Sequence, residues 1–292
     1  NRLMEVCETL IRQGSEVLIG EPVGSCTDMS ATVLQPIKKY CSHQVRLAPY
    51  TVLVEPSRLA EALGLAPSDL GEDVRYIYRK QVDEAGLIVL NKIDTISPAR
   101  REELAALLDR VFPGTPVLCL SGRDDRQVEQ WLSHVLEGRL AGQRVVEVDY
   151  DVYARGEAAL GWLNATVELT SSDPADWDAV AQALTRRLRK GLAKLGAEVA
   201  HLKLMLTTRE GKWAGNLTSS SASPDFRGQA GRGRQATLLI NARAQSDPQA
   251  LRTVVEEALA ETVQPPLAAR VLGLANFSPA RPTPVHRFDA PV

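Results

Sequence analysis

The sequence predicts an α/β domain, a parallel sheet with flanking helices, followed by a smaller α+β domain of the ferredoxin-like kind. Three observations predict it. Short runs rich in Val, Ile and Leu alternate with amphipathic helical stretches as far as residue 137. The pattern lapses over residues 138–142, and beyond it the order becomes strand, helix, hairpin, strand, helix. The 292 residues, 44% of them apolar, suffice for two separate cores. The expected division is therefore residues 1–139 and 140–292.

In the first half, strands are expected at 17–20, 50–54, 87–90 and 117–120. They lack polar alternation, as strands buried on both faces do. Helical spacing covers 72–85, 98–111 and 125–136, and Ser97 before Pro98 supplies a cap with proline in the first turn. In the second half, the segment 157–170 carries Trp162, Ala165, Val167 and Leu169 in strand rhythm. Pro174 then opens a helix to about residue 195, with Val180, Leu184, Leu188, Leu192 and Leu195 on one stripe. Arms at 201–208 and 212–219 flank the turn Arg209, Glu210, Gly211 and read as a hairpin. A Gly- and Ser-rich loop is expected over 219–234, then a strand at 236–244 and a helix at 248–263. The tail, with Pro265, Pro266, Pro279, Pro282 and Pro284, reads as extended.

Thirty-four Lys and Arg against thirty-six Asp and Glu leave a net charge of −2, so nothing in the overall balance attracts a phosphate backbone or an anionic membrane. Apolar runs such as 85–90 fall far short of the roughly 20 residues that span a bilayer. A cytoplasmic protein is expected, with no membrane partner and no clear nucleic-acid partner. Four cysteines, Cys7, Cys26, Cys41 and Cys119, are too few and too irregular for a disulfide framework, so free thiols are expected.

The chemistry concentrates at strand ends. Asn91, Lys92, Ile93 and Asp94 follow the buried run 87–90, where open α/β sheets bind ligands. A carboxylate there can accept from N1–H and the exocyclic amine of guanine, whereas adenine offers neither arrangement. A site that relies on such donors rejects an analogue lacking them by a factor on the order of 10⁴. Asn91 would tie the loop and the Lys92 stem would cover the base; the plain alternative is a polar surface turn. Glu21, Pro22, Val23 and Gly24 follow the run 17–20 in a similar place. Glu21 suits a magnesium ion held through its water shell, and Gly24 a backbone that approaches a terminal phosphate. A strand-terminating turn is the alternative there. Ser121 and Gly122 follow 117–120 and could contact the guanine O6 edge, or simply form a turn.

Glu-Pro-Val-Gly after one strand, Leu53, Val54, Glu55 and Pro56 at the end of another, and residues 81–85 leading into Leu-Ile-Val-Leu-Asn-Lys-Ile-Asp together resemble the CobW/HypB/UreG class of GTPases, especially its CobW-like branch. The resemblance covers roughly residues 1–137. It implies a partial P-loop NTPase-like sheet, GTP hydrolysis coupled to metal delivery or metal-cofactor assembly, and a smaller C-terminal domain. By position, Glu21 and Gly24 match the family's Glu-x-x-Gly motif on the magnesium and γ-phosphate side. Asn91, Lys92 and Asp94 match its base-recognition motif, and Ser121 matches the last element loosely. The implied ligands are GTP or GDP and Mg²⁺, with Zn²⁺ or another transition metal as cargo. The implied partner is a client metalloprotein or cofactor-assembly enzyme, and a homodimer stays open.

Two departures qualify this. Neither Gly-x-x-x-x-Gly-Lys-Ser/Thr nor the family's Cys-x-Cys-Cys occurs in the sequence. The chain opens at Asn1, without methionine and within a helical pattern, so the expectation is a phosphate loop upstream and a chain that by itself hydrolyses little. Among other residues, Cys26, Cys41 and His43 could form a metal relay, although zinc usually takes three or four ligands, and packing is the alternative. Cys7 and Cys119 read as small buried hydrophobes. Arg227, Arg232 and Arg234 read as a mobile basic connector. The rival function is a non-hydrolysing scaffold or binding module whose C-terminal domain contacts protein or RNA.

Overall fold

The computed structural model describes residues 2–67, 71–137, 142–220 and 222–292. The expected boundary between residues 139 and 140 lies outside the described residues.

Helix α1 (Arg2–Arg12) leads through a coil to a π-helical turn, Ser30–Leu34, which runs straight into α2 (Gln35–Cys41). Strands β1 (Thr51–Val54), β2 (Leu87–Leu90) and β3 (Val117–Cys119) form a parallel sheet in that spatial order. Helices α3 (Pro56–Ala62), α4 (Glu72–Asp83), α5 (Pro98–Val111) and α6 (Asp125–Glu137) connect and flank the strands. All four residues of β2 are buried, because this strand is central in the sheet and covered on both faces. On one face Ile88 and Leu90 pack with Leu104 and Leu108 of α5; on the other Leu87 and Val89 meet Leu120, with Trp131 of α6 against them. Glu55 caps α3 and Ser97 caps α5, each accepting a backbone N–H three residues on.

Helix α7 (Tyr150–Ala158) packs on α4, with Val148 and Tyr153 against Ile77. The chain then builds a six-stranded antiparallel sheet ordered β7-β6-β5-β8-β4-β9. Its elements are β4 (Gly161–Asp176), α8 (Trp177–Lys194), β5 (Val199–Thr207), β6 (Lys212–Leu217), β7 (Asp225–Gln229), β8 (Arg232–Ala244), α9 (Pro248–Thr262) and β9 (Leu267–Phe277). Two strand–helix–strand units, β4-α8-β5 and β8-α9-β9, interleave in the ferredoxin-like order, and the β6–β7 hairpin widens one edge. Inward residues Leu163, Val167, Leu204, Leu238 and Ile240 meet Leu184, Leu188 and Leu192 of α8 and Leu251 and Val255 of α9 in one core. No helix among the described residues is long and apolar enough to cross a membrane.

Four expectations need correction. Residues 17–20 form no strand, with Val17 50% and Ile19 79% exposed. An apolar β-branched run satisfies the sequence criterion, yet a strand exists only where a neighbour accepts its hydrogen bonds, and none does so among the described residues. The loop expected at 219–234 contains β7 and the start of β8. Its glycines serve a hairpin: Gly228 and Gly231 have φ of 70° and 74°, and a Cβ at Gly228 would lie 2.3 Å from the Lys212 carbonyl oxygen. Arg227 and Arg232 therefore stand on strands, not on a mobile connector; Arg227 pairs with Asp225 at 3.1 Å and Arg232 donates to the Pro174 carbonyl. In the expected extended tail, residues 267–277 form β9 along β4, because β4 offers a free edge whose apolar partners the local prolines do not reveal. Cys7 and Cys119 are half-buried, not fully buried, and all four thiols are free.

Candidate functional site

Strands β2 and β3 are neighbours, so the loops leaving their carboxyl ends lie side by side. Asn91 N–H donates to the Val54 carbonyl at 2.9 Å, and the Asn91 side chain then turns across to β3. Its Oδ1 accepts from Lys92 N–H at 2.7 Å and from Gly122 N–H at 2.9 Å, which locks the two loops together. Lys92 takes a left-handed conformation with φ of 58°, a turn that carries Asp94 into the single 3₁₀ turn Ile93–Thr95. Ser121 is buried and hydrogen-bonds the Asp94 carboxylate. That hydrogen bond, together with the nearby Arg123 and Lys92 charges, holds the Asp94 carboxyl below the usual aspartate range.

Ile93, Asp94, Ser121, Arg123, Asp124 and Gln127 line a cleft of about 390 Å³. Gln127 fixes its floor, accepting from Ser121 N–H at 2.7 Å and donating to Asp124 at 2.8 Å. Arg123 reaches out of the cleft to Asp225 on β7 at 3.3 Å, so the loop after β3 touches the second sheet. Arg58 of α3 makes a second bridge, to Glu198 at 3.2 Å and to the Thr218 carbonyl at 2.8 Å. A larger depression of about 880 Å³, between the starts of α4 and α9, contains none of the residues singled out from the sequence.

Of those residues, the structure brings Asn91, Asp94 and Ser121 together and places Lys92 beside them. Glu21 and Gly24 do not line this cleft. Glu21 is exposed after the unpaired run 17–20, and the Gly24 carbonyl accepts from Gln81 of α4 at 2.8 Å. Gly24 has open space where a side chain would stand, so no close backbone approach demands glycine in this arrangement.

The structure does not bring Cys26, Cys41 and His43 together. Among the described residues no group of three or more His, Cys, Asp or Glu side chains converges as a metal site. The Cys41 sulfur instead lies 3.8 Å from that of Met4, and His43 is exposed. Cys26 faces buried acids: burial and then Glu157 push its thiol pKa up, the opposite of what a metal-binding thiolate requires.

The sequence hid a buried polar cluster behind Gly24. Glu84, at the end of α4, is 2% exposed and accepts from Ser30 N–H at 2.9 Å and Thr27 Oγ1 at 3.1 Å. Burial raises its pKa from 4.5 to about 7, with the Asp28 charge adding to the effect. Asp28 is 1% exposed with φ of 62° and pairs with Arg287 at 2.8 Å. No local pattern announces these groups, since each reads in sequence as an ordinary loop or helix-end residue.

No family model matches the chain, and no curated protein matches it. Among solved structures, the chain is similar to the Zn(II)-bound YjiA GTPase from E. coli, with 16% identity over 88% of this chain and 76% of that one and a TM-score of 0.35. It is also similar to a Zn(II)-bound triple mutant of that GTPase, with 17% identity, 79% and 66% coverage and a TM-score of 0.28.

Proposed function

We propose that this chain recognises a guanine nucleotide through the cleft at the ends of β2 and β3, as part of a GTP-hydrolysing protein of the CobW-like kind. The observation that supports it is the Asn91 side chain, which joins two strand-end loops and sets Asp94 beside Ser121 in one cleft. An ordinary surface turn has no need of a side chain that accepts from two separate loops. The charged Asp94 carboxylate is an acceptor for the two guanine donors, and the backbone of the loop after β3 is available to the O6 edge.

In this reading Glu21 and Gly24 serve the magnesium and terminal-phosphate side. Leu53 of β1 is 59% exposed and β1 pairs only with β2 among the described residues, which supports a further strand at that edge. Delivery of a metal or a metal cofactor to a client rests on the sequence resemblance alone. A non-hydrolysing scaffold is the second reading, favoured by the absence of Gly-x-x-x-x-Gly-Lys-Ser/Thr.

The test is equilibrium binding of fluorescent GDP, ADP and XDP to the natural protein containing this chain, with Asp94→Asn alongside. Guanine preference that shifts toward xanthine in the variant is expected. An identical base preference in both proteins removes the assignment. GTP turnover by the same protein separates the GTPase from the scaffold.

A further inference from the structure

Residues 284–292 have no regular secondary structure, yet they lie across the segment that follows Glu21–Gly24. Arg287 donates from Nε to the buried Asp28 carboxylate at 2.8 Å and from a terminal nitrogen to the Val146 carbonyl at 3.1 Å. The Tyr150 hydroxyl donates to the same carboxylate. Phe288 N–H donates to the Ala31 carbonyl at 3.1 Å, and its ring meets Tyr40 edge-on with centroids 6.5 Å apart. Lys39 Nζ sits 5.1 Å from the centre of the Phe288 ring, and Val292 N–H donates to the fully buried Gln35 at 2.9 Å.

Apart from the Arg287 contact to Val146, these contacts fall on residues 28–40, and they hold the π-helical turn and α2 from one side. Glu84 holds Thr27 and Ser30 from within. The anchor is small: only Arg287 and Phe288 are half-buried, while their neighbours Val285, His286 and Asp289 are exposed. A buried carboxylate such as Asp28 needs a cation partner, whereas a two-residue anchor on an irregular segment can detach without unfolding either sheet.

We infer that residues 284–292 form a detachable strap, and that the surface around Asp28, Ala31, Gln35 and Tyr40 is a docking site for an Arg-Phe segment whose resident occupant is this strap. Detachment removes the only cation paired with Asp28 among the described residues and frees residues 28–36 to move. The strap follows β9 in the chain. The strap stands on contacts within this chain; only its coupling to a nucleotide rests on the proposed function.

The test uses the intact protein, its Arg287→Ala variant and a fluorescein-labelled peptide of sequence Pro-Val-His-Arg-Phe-Asp-Ala-Pro-Val. The variant is expected to bind the peptide about tenfold more tightly than the unaltered protein does, because its own strap no longer competes. Amides 30–35 should exchange about tenfold faster in the variant and regain protection when the peptide saturates it. A peptide with Ala in place of Arg should bind at least about tenfold more weakly. Unchanged fluorescence of the buried Trp177 and Trp213 shows that the second sheet remains folded. Should Arg287→Ala lose that signature, Phe288→Ala takes its place in the same measurements. Equal exchange at 30–35 in variant and unaltered protein overturns the strap, as does a peptide whose binding ignores its arginine. Peptide binding that holds while guanine preference is absent leaves the strap standing and removes the nucleotide reading; the reverse removes the strap alone.

Discussion

Glu84 gives the structure a pH dependence with an unusual sign. Its carboxyl is buried at the end of α4 and its pKa rises from 4.5 to about 7, chiefly through burial and further through Asp28. The folded protein therefore keeps this proton up to about pH 7, whereas the unfolded chain releases it near 4.5. Between those values the folded state binds more protons, so raising the pH weakens folding. The contribution is fully present below 4.5, declines across the window, and is lost above about 7. Each pKa unit corresponds to about 1.4 kcal/mol, which makes the whole effect on the order of 3 kcal/mol. Glu84→Gln removes the titration while leaving an oxygen that accepts from Ser30 or Thr27. Urea unfolding followed by circular dichroism from pH 4.5 to 8 reads the difference. The unaltered protein should lose stability relative to Glu84→Gln by up to about 1.4 kcal/mol per pH unit, and the loss should level off above neutrality. Parallel stability curves for the two proteins would refute the reasoning, because a carboxyl that titrates normally leaves no slope in this window.

Other outcomes follow from the same contacts. Asn91→Ala releases Lys92 and Gly122 from their shared acceptor, at about 1 kcal/mol for each hydrogen bond; fluorescent GDP affinity should fall by about tenfold or more, and unchanged affinity would uncouple the loops from binding. Gly228→Ala forces a Cβ within 2.3 Å of the Lys212 carbonyl at a φ of 70°. Thermal denaturation should show a loss of about 1–3 kcal/mol, and an unaltered melting temperature would mean that the β6–β7 pairing relaxes freely. Leu188→Ala empties a fully buried position between α8 and the sheet and should cost about 3 kcal/mol in the same assay.

Much of the candidate site was legible because its parts are local. Asn91 to Asp94 follow a run of four buried apolar residues, and strand-end position plus residue type suffices to mark a candidate ligand loop. Ser121 was legible in the same way, one strand over. The role of Asn91 as a clamp needed only the adjacency of two parallel strands, which the α/β pattern already implied. Glu21 does not line the base cleft; the run before it has no pairing partner among the described residues, and pairing is a long-range matter. Cys26, Cys41 and His43 are close in sequence, but the turn Ser30–Leu34 and α2 intervene between the first and the others. Proximity in the chain therefore did not become a ligand shell.

Periodicity and capping, which act over a few residues, determined the helices α4, α5, α6, α8 and α9 and the buried strands of both sheets; those signals survive in any context. Tertiary structure decided the rest. Residues 225–229 and 267–277 are strands because β6 and β4 offer open hydrogen-bonding edges, and an edge is created only by the rest of the sheet. The pair of buried Asp28 and half-buried Arg287 joins residues far apart in sequence, and it forms only once packing has taken the Asp28 carboxylate out of water. Local composition carries no record of that exclusion.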